Sequence, residues 1–250
     1  MKEYPLTRLI PNMLTMISLF GGLTAVRFAL QERWEAAALA IVIASVFDVL
    51  DGRVARMLGM TSKFGAELDS LADLTSFGVA PALVLYLWGL SAGGGAFGWT
   101  AVLVFAACSA LRLARFNTML EDLTAPKWTK GYFTGVPAPA GAGLALLPLF
   151  LFNEYGDVMR SMPALLSLWM ILSGALMVSR IPTLAMKGRG VPRVFVAPIM
   201  AAVCLIVAGL FTDTWMTLSL MSGVYFLMIP FGWLSYRRRA QKESKGTTHA

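Results

Sequence analysis

The stretch that decides the fold is residues 48–73, DVLDGRVARMLGMTSKFGAELDSLAD. It contains four aspartates in two pairs, in a chain that has only 14 acidic residues. Asp48 and Asp51 are three residues apart and end one apolar run, whereas Asp69 and Asp73 are four apart and begin the next. On helices both spacings place a pair on one face. Two such helices joined by a short basic loop would bring four carboxylates into one cluster.

Such a cluster of carboxylates requires cations, because like charges at close range repel strongly in a low dielectric. Hard oxygen ligands of this kind suit Mg²⁺ or Mn²⁺. The four aspartates therefore predict a site for divalent cations. Taken alone, an Asp–x–x–Asp pair on a membrane helix is also typical of a cation pathway or of a structural ion pair.

The composition is that of a membrane protein with many spans. The 250 residues are 57% hydrophobic and 14% charged, whereas about 25% of the residues of a soluble domain are charged. Apolar runs of about 20 residues, enough to cross ~30 Å of hydrocarbon as a helix, recur along the chain. They lie near residues 10–30, 34–52, 71–90, 97–116, 136–153, 162–181, 194–211 and 214–235. The predicted fold class is all-α, a polytopic integral membrane bundle of about eight transmembrane helices.

The basic residues predict the orientation. With both termini cytoplasmic, 18 of the 21 lysines and arginines fall on that side, and only Arg27, Arg33 and Arg160 on the other. This positive-inside bias places the aspartates at the cytoplasmic face of the cell membrane. The net charge of +7 then indicates contact with anionic membrane lipids rather than nucleic acid. Residues 1–236 are predicted to form the membrane domain, and 237–250 a basic, disordered cytoplasmic tail.

The aspartate stretch resembles a known family. CDP-alcohol phosphatidyltransferases carry the pattern D-x2-D-G-x2-A-R-x8-G-x3-D-x3-D, and every fixed position and spacing is present here. The eight matching residues are Asp48, Asp51, Gly52, Ala55, Arg56, Gly65, Asp69 and Asp73. The resemblance implies that Asp48, Asp51 and Asp69 are ligands of two Mg²⁺ or Mn²⁺ ions. It also implies that Asp73 contributes to one ion and acts as the general base.

The resemblance extends to a site for CDP-diacylglycerol. Gly52 lets a ligand lie against the backbone, Ala55 extends that opening, and the guanidinium of Arg56 suits phosphate oxygens. Ser62 is either a contact to the phosphate or ribose or a solvated loop position. Asn12, in a Pro-Asn-x-x-Thr segment similar to the family's, is predicted either to cap the first helix or to lie near the aspartates. The residues predicted for this substrate are Asn12, Gly52, Ala55, Arg56, Ser62 and Gly65.

A pair of arginines ends the fourth apolar run. Arg112 and Arg115 are three apart, hence on one face, with Asn117 nearby. They are either snorkelling residues that flank a span or an anion site beside the metals. The anion would be the carboxylate of serine, because RLARFN is similar to the corresponding region of serine-transferring members of the family. Arg112, Arg115 and Asn117 are therefore the predicted serine site.

Three segments in all are similar to serine-transferring members: residues 74–86, 112–117 and 133–140. The resemblance implies transfer of the phosphatidyl group from CDP-diacylglycerol to the hydroxyl of L-serine. The products are phosphatidylserine and CMP, and the implied enzyme is a homodimer that uses direct two-metal displacement. Glycerol 3-phosphate or an inositol phosphate is the alternative acceptor, although such dianions would need more basic residues. A scaffold that binds the CDP-lipid without turnover stays open, although an intact Asp73 argues against it.

A divalent-cation transporter is the alternative outside this class. Such a protein would carry acidic residues near the bilayer midplane on several spans. The acidic residues of this chain lie mainly at one interface, and the fourth to seventh apolar runs contain none. The pattern therefore favours the transferase.

Overall fold

The computed structural model describes residues 9–59, 62–91, 96–120, 132–155, 159–184 and 193–247. In these ranges the chain forms eight helices and two short strands. The helices are α1 (Ile10–Leu30), α2 (Trp34–Met57), α3 (Lys63–Leu90), α4 (Ala96–Leu120), α5 (Ala138–Tyr155), α6 (Pro163–Val178), α7 (Arg193–Thr212) and α8 (Thr214–Thr247). Strands β1 (Tyr132–Thr134) and β2 (Pro182–Leu184) pair antiparallel, with Phe133 opposite Thr183. Apart from this small ladder, the predicted all-α class is confirmed.

Each of the eight predicted apolar runs lies mainly on a different one of these helices. Two of the helices carry apolar stretches, Ala138–Leu151 and Pro163–Val178, that are shorter than a usual span. Five stretches are long and apolar enough to cross a membrane: Ile10–Leu30, Lys63–Leu90, Ala96–Thr118, Val194–Thr212 and Thr214–Arg237. The structure is therefore that of a multi-pass membrane protein with five helices of spanning length and composition among the described residues.

The connection between α2 and α3 is shorter than the sequence predicts. α2 ends at Met57, Gly59 takes a left-handed φ of 63°, and α3 begins at Lys63, several residues before the predicted third span. Ser62 caps α3, because its Oγ accepts a hydrogen bond from the N–H of Gly65 at 3.0 Å. This bond satisfies a helical donor that would otherwise be free. Gly65 thus lies in the first turn of α3.

The start of α1 corrects one of the two interpretations of Asn12. The helix begins at Ile10 after Leu9, and no side chain caps it. Pro11 lies in the first turn, where its missing N–H has no cost. Asn12 is already inside the helix, so the prediction that it caps α1 is wrong, and its side chain is available to neighbouring elements.

The last helix extends beyond the predicted membrane domain. α8 continues to Thr247, across the predicted boundary at residue 236. Residues 237–247 are therefore helical, whereas their charged and polar composition predicts disorder. These residues continue α8 because adding residues to an existing helix costs far less than starting a new one.

Small residues bring α1 close to its two neighbours. A Cβ at Gly21 would lie 3.0 Å from Cβ of Ala44 on α2, and a Cβ at Gly22 would lie 2.6 Å from Cα of Ser76 on α3. The hydroxyl of Ser76 donates to the carbonyl of Ser18 at 3.0 Å. Glycine permits this approach, as is typical of packed membrane helices. The adjacent glycines Gly21 and Gly22 thus let α2 and α3 both pack closely against α1.

Helix α3 contains two π-helical turns, Leu74–Val79 and Tyr86–Leu90. The first turn directly follows Asp73. Within it, Gly78 packs against α4 so closely that a Cβ would lie 2.7 Å from Oγ of Ser109. A π turn shifts the register of the side chains that follow it, and such turns occur frequently at functional sites. The part of α3 that carries Asp69 and Asp73 thus packs between α1 and α4.

Candidate metal and substrate site

The structure brings the four aspartates together. Asp48 and Asp51 lie near the end of α2, and Asp69 and Asp73 lie on α3. Carboxylate oxygens of Asp48, Asp51 and Asp69 lie within 4.8 Å of one another. The carboxyl of Asp73 shares a hydrogen bond with that of Asp48. The two helices therefore present their acidic faces to one point, as the three- and four-residue spacings predict.

Thr15 of α1 orients the most buried of these carboxyls. Asp51 is 4% exposed, and Oγ1 of Thr15 lies 2.6 Å from its Oδ2. The same Oγ1 lies 3.1 Å from the carbonyl of Pro11. A hydroxyl has one proton, and a carboxylate is the stronger acceptor, so the bond to Asp51 dominates. The sequence alone did not assign this role to Thr15, although the threonine of the Pro-Asn-x-x-Thr segment was the available signal.

The donor set fits a divalent metal. Among the described residues, the guanidinium groups of Arg56 and Arg112 lie within electrostatic range of the cluster, and two positive charges cannot neutralise four carboxylates. Oδ1 of Asp73 is buried and accepts no hydrogen bond from the described residues. Clustered carboxylate oxygens with a free, buried acceptor suit a hard cation that prefers oxygen ligands. The residues present therefore fit Mg²⁺ or Mn²⁺, the ions predicted for them.

One edge of the acidic cluster is open and basic. Gly52 follows Asp51 directly, and a Cβ at Gly52 would lie 3.4 Å from Nη1 of Arg56. The guanidinium of Arg56 therefore lies over the glycine, one helical turn along α2, while the side chain remains exposed. Ala55 is half-buried on the same part of the helix. These residues form a shallow surface with a cation at its edge, which suits a phosphate group.

A second group of predicted residues meets where α1 and α3 begin. A Cβ at Gly65 would lie 3.1 Å from Oγ of Ser62 and 3.2 Å from Oδ1 of Asn12. The hydroxyl of Ser62 caps the helix through its lone pair, so its own proton stays available to an acceptor. Asn12, Ser62 and Gly65 thus lie together, and a larger residue at position 65 would contact both polar side chains.

Of the three residues predicted for serine, Arg112 is the one whose charge acts on the aspartates. Its side chain is 9% exposed, and its guanidinium lies within electrostatic range of Asp73 and Asp48. The ring of Phe116 lies 5.9 Å from the guanidinium carbon. Nε of Arg112 is buried and donates no hydrogen bond to the described residues. A buried arginine with a free donor is expected to bind an anion.

Arg115 binds the backbone at the end of α6 and in β1. Its Nη1 donates to the carbonyl of Val178 at 2.8 Å, and its Nη2 to those of Ser179 at 3.1 Å and Thr134 at 3.3 Å. A cation is favoured at a helix C-terminus, where carbonyls lack partners. These contacts connect α4 to α6 and to the ladder. They leave Arg112, not Arg115, as the arginine directed at the acidic cluster.

Asn117 braces α4 against α3. Its Nδ2 lies 3.0 Å from Oγ of Ser70, and the hydroxyl of Ser70 lies 3.2 Å from its Oδ1. Ser70 is next to Asp69 in the chain, so the contact fixes the acidic part of α3. Ser70 was not predicted from the sequence, because it carries no signal beyond its position between two aspartates.

Comparisons with known proteins agree with this site. A family model described as CDP-alcohol phosphatidyltransferase matches residues 8–179, which include all four aspartates. A second model, described as CDP-alcohol phosphatidyltransferase 2, matches residues 194–230. The first match alone covers more than half of the chain.

Curated relatives share most of their length with this chain. Three of them are named CDP-diacylglycerol–serine O-phosphatidyltransferase. The Mycobacterium leprae protein is 40% identical over 224 residues, which cover 90% of this chain and 74% of the relative. The Helicobacter pylori protein is 38% identical over 173 residues, 69% of this chain and 70% of the relative. The Methanocaldococcus jannaschii protein is 35% identical over 205 residues, which cover 80% of this chain and 84% of the relative. The chain belongs to the CDP-alcohol phosphatidyltransferase family.

Proposed function

We propose that this protein transfers the phosphatidyl group of CDP-diacylglycerol to the hydroxyl of L-serine, giving phosphatidylserine and CMP. The proposal rests on one observation: carboxylate oxygens of three aspartates of the family's motif lie within 4.8 Å of one another. The names of the relatives support serine as the acceptor. A buried arginine beside the aspartates supports it too, because serine is an alcohol that carries a carboxylate.

In this proposal the aspartates bind the metal ions, and the exposed part of α2 at Gly52 and Arg56 binds the nucleotide. Asp48, Asp51 and Asp69 would hold two divalent cations, with a contribution from Asp73. When bound, such cations supply positive charge to the diphosphate and to the departing CMP. Arg56 and the bare backbone at Gly52 hold the nucleotide phosphates, with Asn12, Ala55, Ser62 and Gly65 lining the same substrate. Phosphoryl transfer depends mostly on such positioning and charge stabilisation.

The chemical step is a direct displacement. The oxygen of the serine hydroxyl forms a bond to the phosphorus that carries diacylglycerol. The bond from that phosphorus to the CMP oxygen breaks, and CMP leaves with the electron pair. Asp73 accepts the proton of the serine hydroxyl, and its free, buried Oδ1 supports this role. A positioned base of this kind contributes roughly 10²–10⁴ in rate, and no covalent enzyme intermediate forms.

The membrane arrangement follows from the same proposal. Eight spans with both termini cytoplasmic would place the aspartates at the inner face of the cell membrane. The correspondence of every apolar run with a helix supports eight spans, and the bias of 18 basic residues out of 21 supports the orientation. The acyl chains of the substrate then stay in the bilayer among anionic lipids. We also propose the homodimer that the family resemblance implies.

The test is a comparison of acceptors. Purified protein is incubated with CDP-diacylglycerol, Mn²⁺ or Mg²⁺, and one labelled alcohol at a time: L-serine, glycerol 3-phosphate or an inositol phosphate. We expect label in the lipid phase from serine alone, with one CMP released per lipid formed. Label from a phosphate-bearing alcohol instead would overturn the choice of acceptor, and no CMP release with any alcohol would overturn the transferase.

A matched pair of variants tests the role of the cluster in the same assay. Asp69→Asn removes one proposed metal ligand, whereas Glu67→Gln removes a carboxylate that is exposed on the same helix. We expect Asp69→Asn to lose turnover and Glu67→Gln to keep it. Equal activities in the two variants would contradict the assignment of Asp69.

A further inference from the structure

The part of α3 that carries Asp69 is anchored by little apolar packing. Among residues 63–73 only Ala72 is buried. Four side chains in the first two turns are exposed, namely Lys63, Phe64, Ala66 and Glu67. Burial of an apolar face supplies most of the free energy that holds a helix in a folded protein. Because this segment buries so little, polar contacts have to fix the position of Asp69.

A chain of hydrogen bonds connects this segment to α4. Nδ2 of Asn117 donates to Oγ of Ser70 at 3.0 Å. The hydroxyl of Ser70 has one proton, and the carbonyl of Ala66 lies closer to it than Oδ1 of Asn117, at 3.0 Å against 3.2 Å. The proton is therefore donated to Ala66, one turn earlier in α3. The chain thus extends from α4 through the neighbour of Asp69 into the exposed turns of α3.

A second contact shows that α3 and α4 pack antiparallel and in register. A Cβ at Gly78 would lie 2.7 Å from Oγ of Ser109. Gly78 lies eight residues after Ser70 on α3, and Ser109 lies the same number of residues before Asn117 on α4. The two contacts therefore join the helices at points about 12 Å apart. The contact of Asn117 is the one beside Asp69, at the end of α3 that has little apolar packing.

We infer that Asn117 is a positioning residue for the metal ligand Asp69, and that it acts through Ser70 rather than by contacting the acceptor serine. The inference rests on the proposed function, because it takes Asp69 as a ligand of the divalent cations. Both polar atoms of the Asn117 amide lie within 3.2 Å of Oγ of Ser70, so the amide is already engaged within the protein. A ligand that is held in place before the ion arrives binds it more tightly, because less conformational entropy is lost on binding.

The variant Asn117→Ala tests the inference in a calorimetric titration of the purified protein with Mn²⁺, without substrate. We expect the Kd for Mn²⁺ to rise about two- to tenfold, the effect of one neutral hydrogen bond. The matched control is Thr118→Ala, because the hydroxyl of Thr118 donates within α4 to the carbonyl of Arg115, at 2.8 Å on an exposed face. Its Kd should equal that of the wild type.

A double variant tests whether Asn117 acts through Ser70. Ser70→Ala removes the other end of the same contact and should raise the Kd for Mn²⁺ by a similar factor. Two changes that break one contact are not additive, so the double variant should bind Mn²⁺ about as well as either single variant. A double variant whose effect is the product of the two single effects would overturn the inference.

Serine kinetics at saturating Mn²⁺ separate a positioning role from a contact with serine. In Asn117→Ala the KM for serine should then equal that of the wild type. A raised serine KM with an unchanged Kd for Mn²⁺ would overturn the inference and place Asn117 in the serine site. Asp69→Asn in the same titration separates the two possible failures. If it weakens Mn²⁺ binding and Asn117→Ala does not, the inference alone fails; if neither variant weakens binding, the metal site of the proposed function fails as well.

Discussion

The hydrogen bond between Thr15 and Asp51 gives the sharpest prediction. Thr15→Val replaces the hydroxyl by a methyl of similar size, and it leaves Oδ2 of a carboxyl that is 4% exposed without its donor. A hydrogen bond to a charged group contributes about 1.5–3 kcal/mol. Because 1.4 kcal/mol is a factor of ten, we expect the Kd for Mn²⁺ to rise about 10- to 100-fold. Residues that orient metal ligands have effects of this size, about 10- to 100-fold.

The assay is calorimetric titration of purified protein with Mn²⁺, without substrate. Thr15→Ser keeps the hydroxyl and should bind Mn²⁺ nearly as the wild type does. Thr100→Val is the matched control, because the hydroxyl of Thr100 donates only to the carbonyl of Ala96, at 2.8 Å, on an exposed face. If Thr15→Val and Thr100→Val both keep the wild-type Kd, the hydrogen bond does not orient a metal ligand and the reasoning fails.

Three further outcomes are expected. Asp73→Asn should abolish phosphatidyl transfer while equilibrium binding of CDP-diacylglycerol persists; transfer at the wild-type rate would remove Asp73 as the base. Gly22→Ala should lower Tm, because overpacking costs about 1–3 kcal/mol. Gly223→Ala is the control and should keep the wild-type Tm, because the space around Gly223 is open. Equal Tm values for the two variants would contradict the close contact of α1 and α3. Arg115→Ala should lower the free energy of unfolding by about 1.5–3 kcal/mol through loss of its carbonyl contacts, and so lower Tm. A change in serine KM with no fall in Tm would instead assign Arg115 to substrate binding.

The acidic cluster could be predicted because it depends on local rules. The three- and four-residue spacings decide which face of a helix an aspartate occupies, and the short loop makes α2 and α3 neighbours. The glycine pair in α1 likewise indicates close packing without any knowledge of the partner helix. Both patterns can be recognised from residues that lie within one or two helical turns of each other.

The partners of the arginines could not be predicted in the same way. Arg115 meets carbonyls at Val178 and Ser179, more than 60 residues away in the chain. Arg112 and Arg115 share a helical face by spacing, but long side chains diverge once different elements pack beside them.

Anomalous diffraction from crystals grown with Mn²⁺ tests the central claim most directly, namely that aspartates of α2 and α3 hold the divalent ions that transfer requires. The account predicts manganese peaks between Asp48, Asp51 and Asp69, close to Asp73, at Mn²⁺ concentrations that support turnover. Crystals of Asp69→Asn should lose those peaks. An empty acidic cluster under the same conditions, with turnover intact, would contradict the account.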